Sequence, residues 1–174
     1  MLIARILAMM IACASSVDAQ TFARAMLDSS AGLRITTSTG QTIVPEKDSG
    51  QVGFAAPAIS ADHRRVGWLA LYPNCCTSYP IPLKLVVRTA GKERVIDGAA
   101  LPVWRWVFVD GGRRVAIRQT PVHGDAPAHY ELRDADSGKL VEAYDALWGA
   151  PADSIKSRHV PRWVRIVDEA KPPI

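Results

Sequence analysis

Cysteine is scarce in this chain, which has three cysteines among its 174 residues. Cys13 lies in an apolar stretch near the N-terminus, whereas Cys75 and Cys76 are neighbours. Two adjacent cysteines cannot link distant parts of a fold, so the sequence excludes the disulfide framework on which many small secreted domains depend. The core must therefore rely on burial of apolar side chains, and the length is sufficient for one domain with such a core.

Charge of one sign is not concentrated anywhere in the sequence. The formal net charge is only +4, and the longest basic clusters are the dipeptides Arg64-Arg65 and Arg113-Arg114. Nucleic-acid-binding proteins more often carry a basic run or stripe. We therefore expect no nucleic-acid partner.

Patterns typical of catalytic and metal sites are also lacking. The sequence has no Gly-rich phosphate loop and no serine in a G-x-S-x-G context. Its four histidines, His63, His123, His129 and His159, do not show the spacing typical of metal ligands. We therefore predict a protein that is not an enzyme, with no catalytic residue, no bound metal and no cofactor.

The first 19 residues are predicted to be an export signal. Arg5 gives a positive start, and Ile6 to Ala14 is an apolar run that is too short to span a bilayer as a stable helix. Val17-Asp18-Ala19 then offers a small-x-small cleavage site, which would leave Gln20 as the new N-terminus.

A second interpretation of this segment is lipidation. Met10-Ile11-Ala12-Cys13 resembles the lipobox of bacterial lipoproteins, and that resemblance implies a lipid on Cys13. Contact with a membrane is expected only in this case. With either interpretation the protein is expected to be periplasmic or secreted.

Short apolar strands separated by turn residues predict an all-β domain over residues 33–147. Val66 to Tyr72 is almost wholly apolar, which indicates a strand covered on both faces. Residues 20–32 are predicted to be a separate N-terminal segment, either a short helix or a frayed end. Residues 148–174 are predicted to contain one strand near Trp163 and a loose tail.

Internal repetition indicates how the strands are arranged. Arg64-Arg65-Val66 returns as Arg113-Arg114-Val115, and Gly91-Lys92 returns as Gly138-Lys139, each about fifty residues later. Leu33 to Val44 resembles half of the same unit. We predict two to three antiparallel, propeller-like sheet repeats packed face to face, as an open stack or a β-sandwich-like fold.

The segment Pro57 to Asp62 followed by Arg64 to Trp68 resembles the blade motif of TolB-like β-propeller repeats. His63 stands where that family usually has Gly, and the second copy, Phe108 to Arg113, keeps the turn without the Ser. The resemblance implies four-stranded blades. Closed propellers need about four or more blades, whereas about two and a half units fit here. An open stack, a small sandwich, or closure by other subunits is therefore expected.

The loop that holds the adjacent cysteines is the most unusual stretch. Its prolines fix φ and stiffen the chain, and its tyrosines offer amphipathic contact area. The candidate ligand-binding residues are Tyr72, Cys75, Cys76 and Tyr79. Three interpretations of the cysteines remain open: a vicinal Cys75–Cys76 disulfide, a soft-metal site completed by His63 or His123, and ordinary thiols or disulfides to another chain.

Tryptophan offers one further candidate surface. Trp104 and Trp106 are expected on one face of a strand, where they could stack on a carbohydrate, although aromatics at this spacing more often fill the space between sheets. We favour the core interpretation.

The sequence thus predicts an exported, non-catalytic binding or interaction protein. It would act through the cysteine loop or through the loop Thr120 to Ala128 on an unknown protein or small ligand. One alternative is a structural or assembly subunit that pairs through sheet edges. The other is a small Cys/His metal or redox protein.

Overall fold

The computed structural model describes residues 20–98, 101–123, 126–146 and 160–170. These residues form eleven strands, one short helix and one 3-10 turn. The strands make three antiparallel sheets of three or four strands each, so the predicted all-β fold is confirmed. The predicted export signal lies outside the described residues.

Each sheet is a meander whose strands follow one another in chain order. The N-terminal sheet contains β1 (Phe22–Leu27), β2 (Leu33–Thr37) and β3 (Thr42–Ile43). The central sheet contains β4 (Gly53–Ile59), β5 (Arg65–Tyr72), β6 (Ile81–Thr89) and β7 (Lys92–Asp97). The C-terminal sheet contains β8 (Val103–Val109), β9 (Arg114–Gln119), β10 (His129–Asp134) and β11 (Leu140–Asp145).

The central sheet lies between the other two, and all eight residues of β5 are buried. One face, through Trp68, packs against Phe22 and Ile35 of the N-terminal sheet. The other face, through Leu69, packs against Ile117 of the C-terminal sheet. Alternate side chains of a strand point to opposite faces, so an all-apolar strand supplies two cores at once. This confirms the prediction that Val66 to Tyr72 is covered on both sides.

A short helix, α1 (Arg162–Glu169), covers the outer face of the C-terminal sheet. Trp163, Val164 and Val167 are buried on one side of the helix and contact Tyr130 and Leu132 of β10. The prediction of a strand near Trp163 was wrong. The spacing of the three buried residues matches a helix, and this helix begins directly after Pro161.

The N-terminal segment also differs from its prediction. Residues 22–27 form strand β1, which pairs with β2, instead of a helix or a frayed end. Phe22 is fully buried against the central sheet. Six residues give too few turns for periodicity to distinguish a helix from a strand, and tertiary packing decides the outcome.

The stack has two ends that differ in structure. At the turn end, the sharp turns before β5 and β9 lie with the hairpins at Gly40, Gly91 and Gly138, whose φ angles of 85°, 82° and 72° are all left-handed. At the loop end lie residues 73–80, between β5 and β6, and the described residues 120–123, after β9.

Candidate functional site at the loop end

The two cysteines lie together at the surface of the loop end. Both are exposed and neither is in a disulfide. Their Sγ atoms are 2.8 Å apart, which is longer than the S–S bond length of about 2.05 Å. The Asn74 side chain adds a longer contact, 3.7 Å from its Oδ1 to the Cys75 Sγ. The chain thus presents two thiols in direct contact and open to solvent.

The two thiols do not ionise independently. The hydrogen bond with the Cys75 sulfur, and then the charge on that sulfur, raise the pKa of Cys76 above its ordinary value. The Cys76 proton is therefore lost at a higher pH than that of an ordinary thiol.

A residue from the neighbouring sheet completes this surface. His123, in the loop after β9, places its Nε2 atom 3.1 Å from the backbone carbonyl oxygen of Cys76. Because a carbonyl oxygen only accepts, this hydrogen bond requires the proton to be on Nε2. The contact joins the loops of the central and C-terminal sheets, which the sequence had offered as two separate candidate surfaces.

Tyr72 is part of the support for the loop. It is buried, and its hydroxyl donates to Asp48 Oδ2 at 2.5 Å, an oxygen that also accepts from Lys84 Nζ at 2.7 Å. The hydrogen bonds from Lys84 and then Tyr72 lower the pKa of Asp48. These contacts tie the polar segment before β4 to the base of the cysteine loop, and they occupy the Tyr72 hydroxyl.

Tyr79 is the predicted residue that is best placed for a ligand. Its side chain is 43% exposed, and it borders an open cavity of about 240 Å³. The cavity is lined by Val52, Pro73, Asn74, Thr77, Ser78, Tyr79 and Pro80. The prolines on both sides hold φ fixed, so little conformational entropy remains to be lost on binding.

The two tryptophans of β8 do not form a common platform. A register shift between Val103 and Arg105 interrupts the alternation of the strand. Trp106 is buried in the core and donates to the Ala56 carbonyl, whereas Trp104 is half-buried and donates to the Thr120 carbonyl at 3.0 Å. The sequence had no signal for this bulge. Trp104 thus supports the loop that carries His123.

His63 serves the fold at the opposite end of the stack. It takes φ of 58°, its Nδ1 atom lies 2.9 Å from the Phe22 carbonyl oxygen, and its own carbonyl accepts from the Phe22 N–H. It therefore fastens the N-terminal sheet to the central sheet. Of the two histidines considered as metal ligands, only His123 lies beside the cysteines. Among the described residues no three His, Cys, Asp or Glu side chains form a metal-binding group.

The turn end is held by a buried arginine. Arg65 donates from Nε and Nη2 to the carboxylate of Asp136 at 2.9 and 2.7 Å, and from Nη1 to Asp62 at 2.9 Å. Asp136 belongs to the β10–β11 hairpin, so this arrangement joins the central and C-terminal sheets. The hydrogen bond from Arg65 is the main cause that lowers the pKa of Asp136. The buried Arg65 of the first Arg-Arg-Val copy thus has a structural role, whereas its counterpart Arg114 is exposed and pairs with Asp110.

A larger cavity, of about 480 Å³, lies between α1 and the C-terminal sheet. Three of its four charged lining residues are already engaged with neighbours: Arg114 pairs with Asp110 at 3.2 Å, and Glu142 accepts from the Trp163 indole at 3.0 Å, whereas Arg162 is exposed. The loop end, in contrast, combines a smaller cavity with two exposed thiols and an exposed tyrosine. We therefore regard the loop end as the better candidate site.

No helix in the described part of the chain is long and apolar enough to cross a membrane. No protein-family model matches the chain, and no curated protein is significantly similar to it. The candidate site therefore rests on the residues and geometry described above.

Proposed function

We propose that this protein is an exported, non-catalytic binding module whose contact surface is the loop end. The observation that carries the proposal is the His123–Cys76 contact of 3.1 Å, which unites loops from two sheets into one surface. That surface exposes Cys75, Cys76 and Tyr79 beside a cavity. Binding surfaces are commonly built from loops that a rigid scaffold positions.

The ligand is proposed to be an unidentified protein or a small molecule. A half-exposed tyrosine on a proline-stiffened loop supplies contact area at low entropic cost, as in other binding loops. In this interpretation the sheets act as propeller-like repeats that hold the loops in place. Export through the predicted signal would bring the surface to a compartment where thiol oxidation persists.

Three of the six edge strands, β7, β4 and β3, are poorly suited to pairing with another chain, which favours this proposal over an assembly role. Edge strand β7 carries Lys92, Glu93 and Arg94, and exposed charges discourage pairing with another strand. Edge strand β4 has a register irregularity between Ala55 and Ala58 and contains Pro57, which has no N–H to donate. Edge strand β3 has only two residues.

The proposal can be tested by photocrosslinking in cells that make the protein. A photoreactive amino acid replaces Tyr79 in one variant and Lys92, which is exposed at the turn end, in a matched control. We expect specific adducts from position 79 that are absent from position 92. Identical adduct patterns from the two positions, or adducts from position 92 alone, would contradict a contact surface at the loop end.

A further inference from the structure

We propose that Cys75 and Cys76 form a reversible thiol–disulfide pair whose oxidation state is transmitted to His123 and hence to the cavity beside Tyr79. The inference rests on the proposed function, because it assumes that the loop end is the binding surface. It adds a site of modification, Cys75 and Cys76, and a class of oxidant, small disulfides. It also adds the His123 contact as the route by which oxidation would alter binding.

The chemistry requires an oxidant, and a low-molecular-weight disulfide is sufficient. One thiolate of the pair attacks a sulfur of the small disulfide, which forms a mixed disulfide and releases one small thiol. The second cysteine then attacks the protein sulfur of the mixed disulfide and releases the other small thiol. Overall, two protein thiols are oxidised to one disulfide, one small disulfide is reduced to two thiols, and the two protons pass to those products.

The geometry favours the second step within the same chain. The two sulfur atoms are already 2.8 Å apart, so the resolving thiol lies next to the sulfur that it must attack. Both thiols are exposed, and a small disulfide can therefore reach them. A thiolate formed on either cysteine lies in contact with the sulfur of its resolving partner.

Bond formation must affect the contact with His123. The disulfide would close a ring that includes the Cys75–Cys76 peptide bond, and the Cys76 carbonyl that accepts from His123 is attached to an atom of that ring. Pro73 and Pro80 flank the pair and restrict the chain on both sides, so the loop has few torsions with which to absorb the change. Asn74 and Thr77, which adjoin the cysteines, line the cavity and would move with them.

The coupling can be observed through histidine ring signals in NMR spectra at constant pH. The protein is equilibrated with reduced and then with oxidised glutathione, and intact mass checks the loss of two hydrogen atoms on disulfide formation. We expect the His123 ring signals to shift on oxidation, while those of His63, at the turn end, and of His129, which contacts Asp145 and Glu131 instead of the cysteine loop, stay in place. The Cys75→Ser, Cys76→Ser double variant, in which neither position has a thiol to oxidise, is expected to show no shift.

A reciprocal measurement uses His123→Ala. Because the His123 contact is present with the thiol form, its removal is expected to favour the disulfide by about fivefold in a glutathione titration. His129→Ala is the matched control and is expected to leave this equilibrium unchanged.

Three results would overturn the inference: no disulfide with oxidised glutathione, unchanged His123 signals on oxidation, or equal titrations for His123→Ala and the wild type. These outcomes are distinguishable from failure of the proposed function, since the crosslinking at position 79 requires neither cysteine nor histidine. Adducts at position 79 together with an inert cysteine pair would retain the binding module and remove its redox control.

Discussion

At the scale of single residues, packing at the turn end depends on close approach between a turn of the central sheet and a turn of the C-terminal sheet. Gly112 has a φ of 98°, and a Cβ atom at this position would lie 2.5 Å from the Ser60 Cβ of the central sheet. Ser60 is itself buried and accepts from the Arg65 N–H. The turn of one repeat therefore packs directly on the turn of the other, which leaves no space for a side chain.

The Gly112→Ala variant is expected to lose about 2 kcal/mol or more in free energy of unfolding, because strain and steric overlap act together. Gly91→Ala is the matched control, since Gly91 also has a left-handed φ, of 82°, but has open space around it. It is expected to lose only about 1 kcal/mol. Urea denaturation of both variants tests this, and equal losses would contradict the packing described for Gly112.

A second residue-scale feature is a histidine between two carboxylates. His129 contacts Asp145 through Nδ1 at 2.6 Å and the buried Glu131 through Nε2 at 3.3 Å. Arg133 also pairs with Glu131, at 2.7 Å. Burial lowers the pKa of His129, but the contacts with Asp145 and Glu131 outweigh burial, and the net result is a raised pKa.

This arrangement predicts a pH-dependent stability. A histidine whose pKa is raised by folding contributes stability that is fully present below the unfolded pKa of about 6.5 and is lost as the pH rises through the folded pKa. The difference in urea midpoint between wild type and His129→Gln should therefore be larger at about pH 5.5 than at about pH 8.5. A difference that grows with rising pH would show that the sign is wrong.

The sequence indicated the importance of some of these residues but not their roles. The Arg-Arg-Val repeat and the glycines at 40, 91 and 138 were found as a pattern, and they occupy equivalent turns. The roles of His63 and Tyr72 as structural anchors depend on partners 41 and 24 residues away. Sequence spacing contains no information on such contacts, because they follow from the stacking of sheets.

At the scale of elements, α1 covers the outer face of the C-terminal sheet, on which a further repeat would otherwise stack. Its buried residues Val164 and Val167 are 1% and 0% exposed, whereas Arg165 faces solvent. A helix of eight residues has little stability alone, so its formation depends on this packing. That dependence explains why the sequence of this segment, which is rich in β-branched residues, predicted a strand instead.

Val164→Ala is expected to lower the free energy of unfolding by about 2 kcal/mol, since it removes buried apolar surface between α1 and the C-terminal sheet. The neighbouring Arg165→Ala change should alter it by less than about 0.5 kcal/mol. Chemical denaturation of the two variants measures the contrast. Equal effects would indicate that α1 is not part of the cooperative fold.

At the scale of the whole molecule, both outer faces of the stack are closed to further sheets. The helix covers the C-terminal sheet, and the outer face of the N-terminal sheet carries the exposed residues Arg24, Met26, Arg34 and Thr42. Stacking another sheet on this face would bury Arg24 and Arg34, and removing these charges from water is costly even though Arg34 pairs with Asp28 at 3.6 Å. The number of repeats in the sequence predicted an open stack. The structure adds that a helix covers one outer face and that the other carries exposed side chains, two of them arginines.

The protein is therefore expected to be a monomer in solution. Sedimentation equilibrium at several concentrations should give the mass of one chain. The Arg24→Leu, Arg34→Leu double variant is expected to associate, because it converts the outer face into an apolar patch. A wild-type dimer that the double variant does not strengthen would place the interface elsewhere and would favour an assembly role through sheet edges.

The proposal that the protein is exported and carries a redox-active cysteine pair is tested most directly by the intact mass of the chain from its native host, measured with and without reduction and alkylation. We expect a chain that begins at Gln20 and accepts two alkyl groups at Cys75 and Cys76 only after reduction. A lipidated chain that begins at Cys13 would contradict the predicted cleavage site. Two thiols that are alkylated without reduction would contradict the vicinal disulfide in the exported protein.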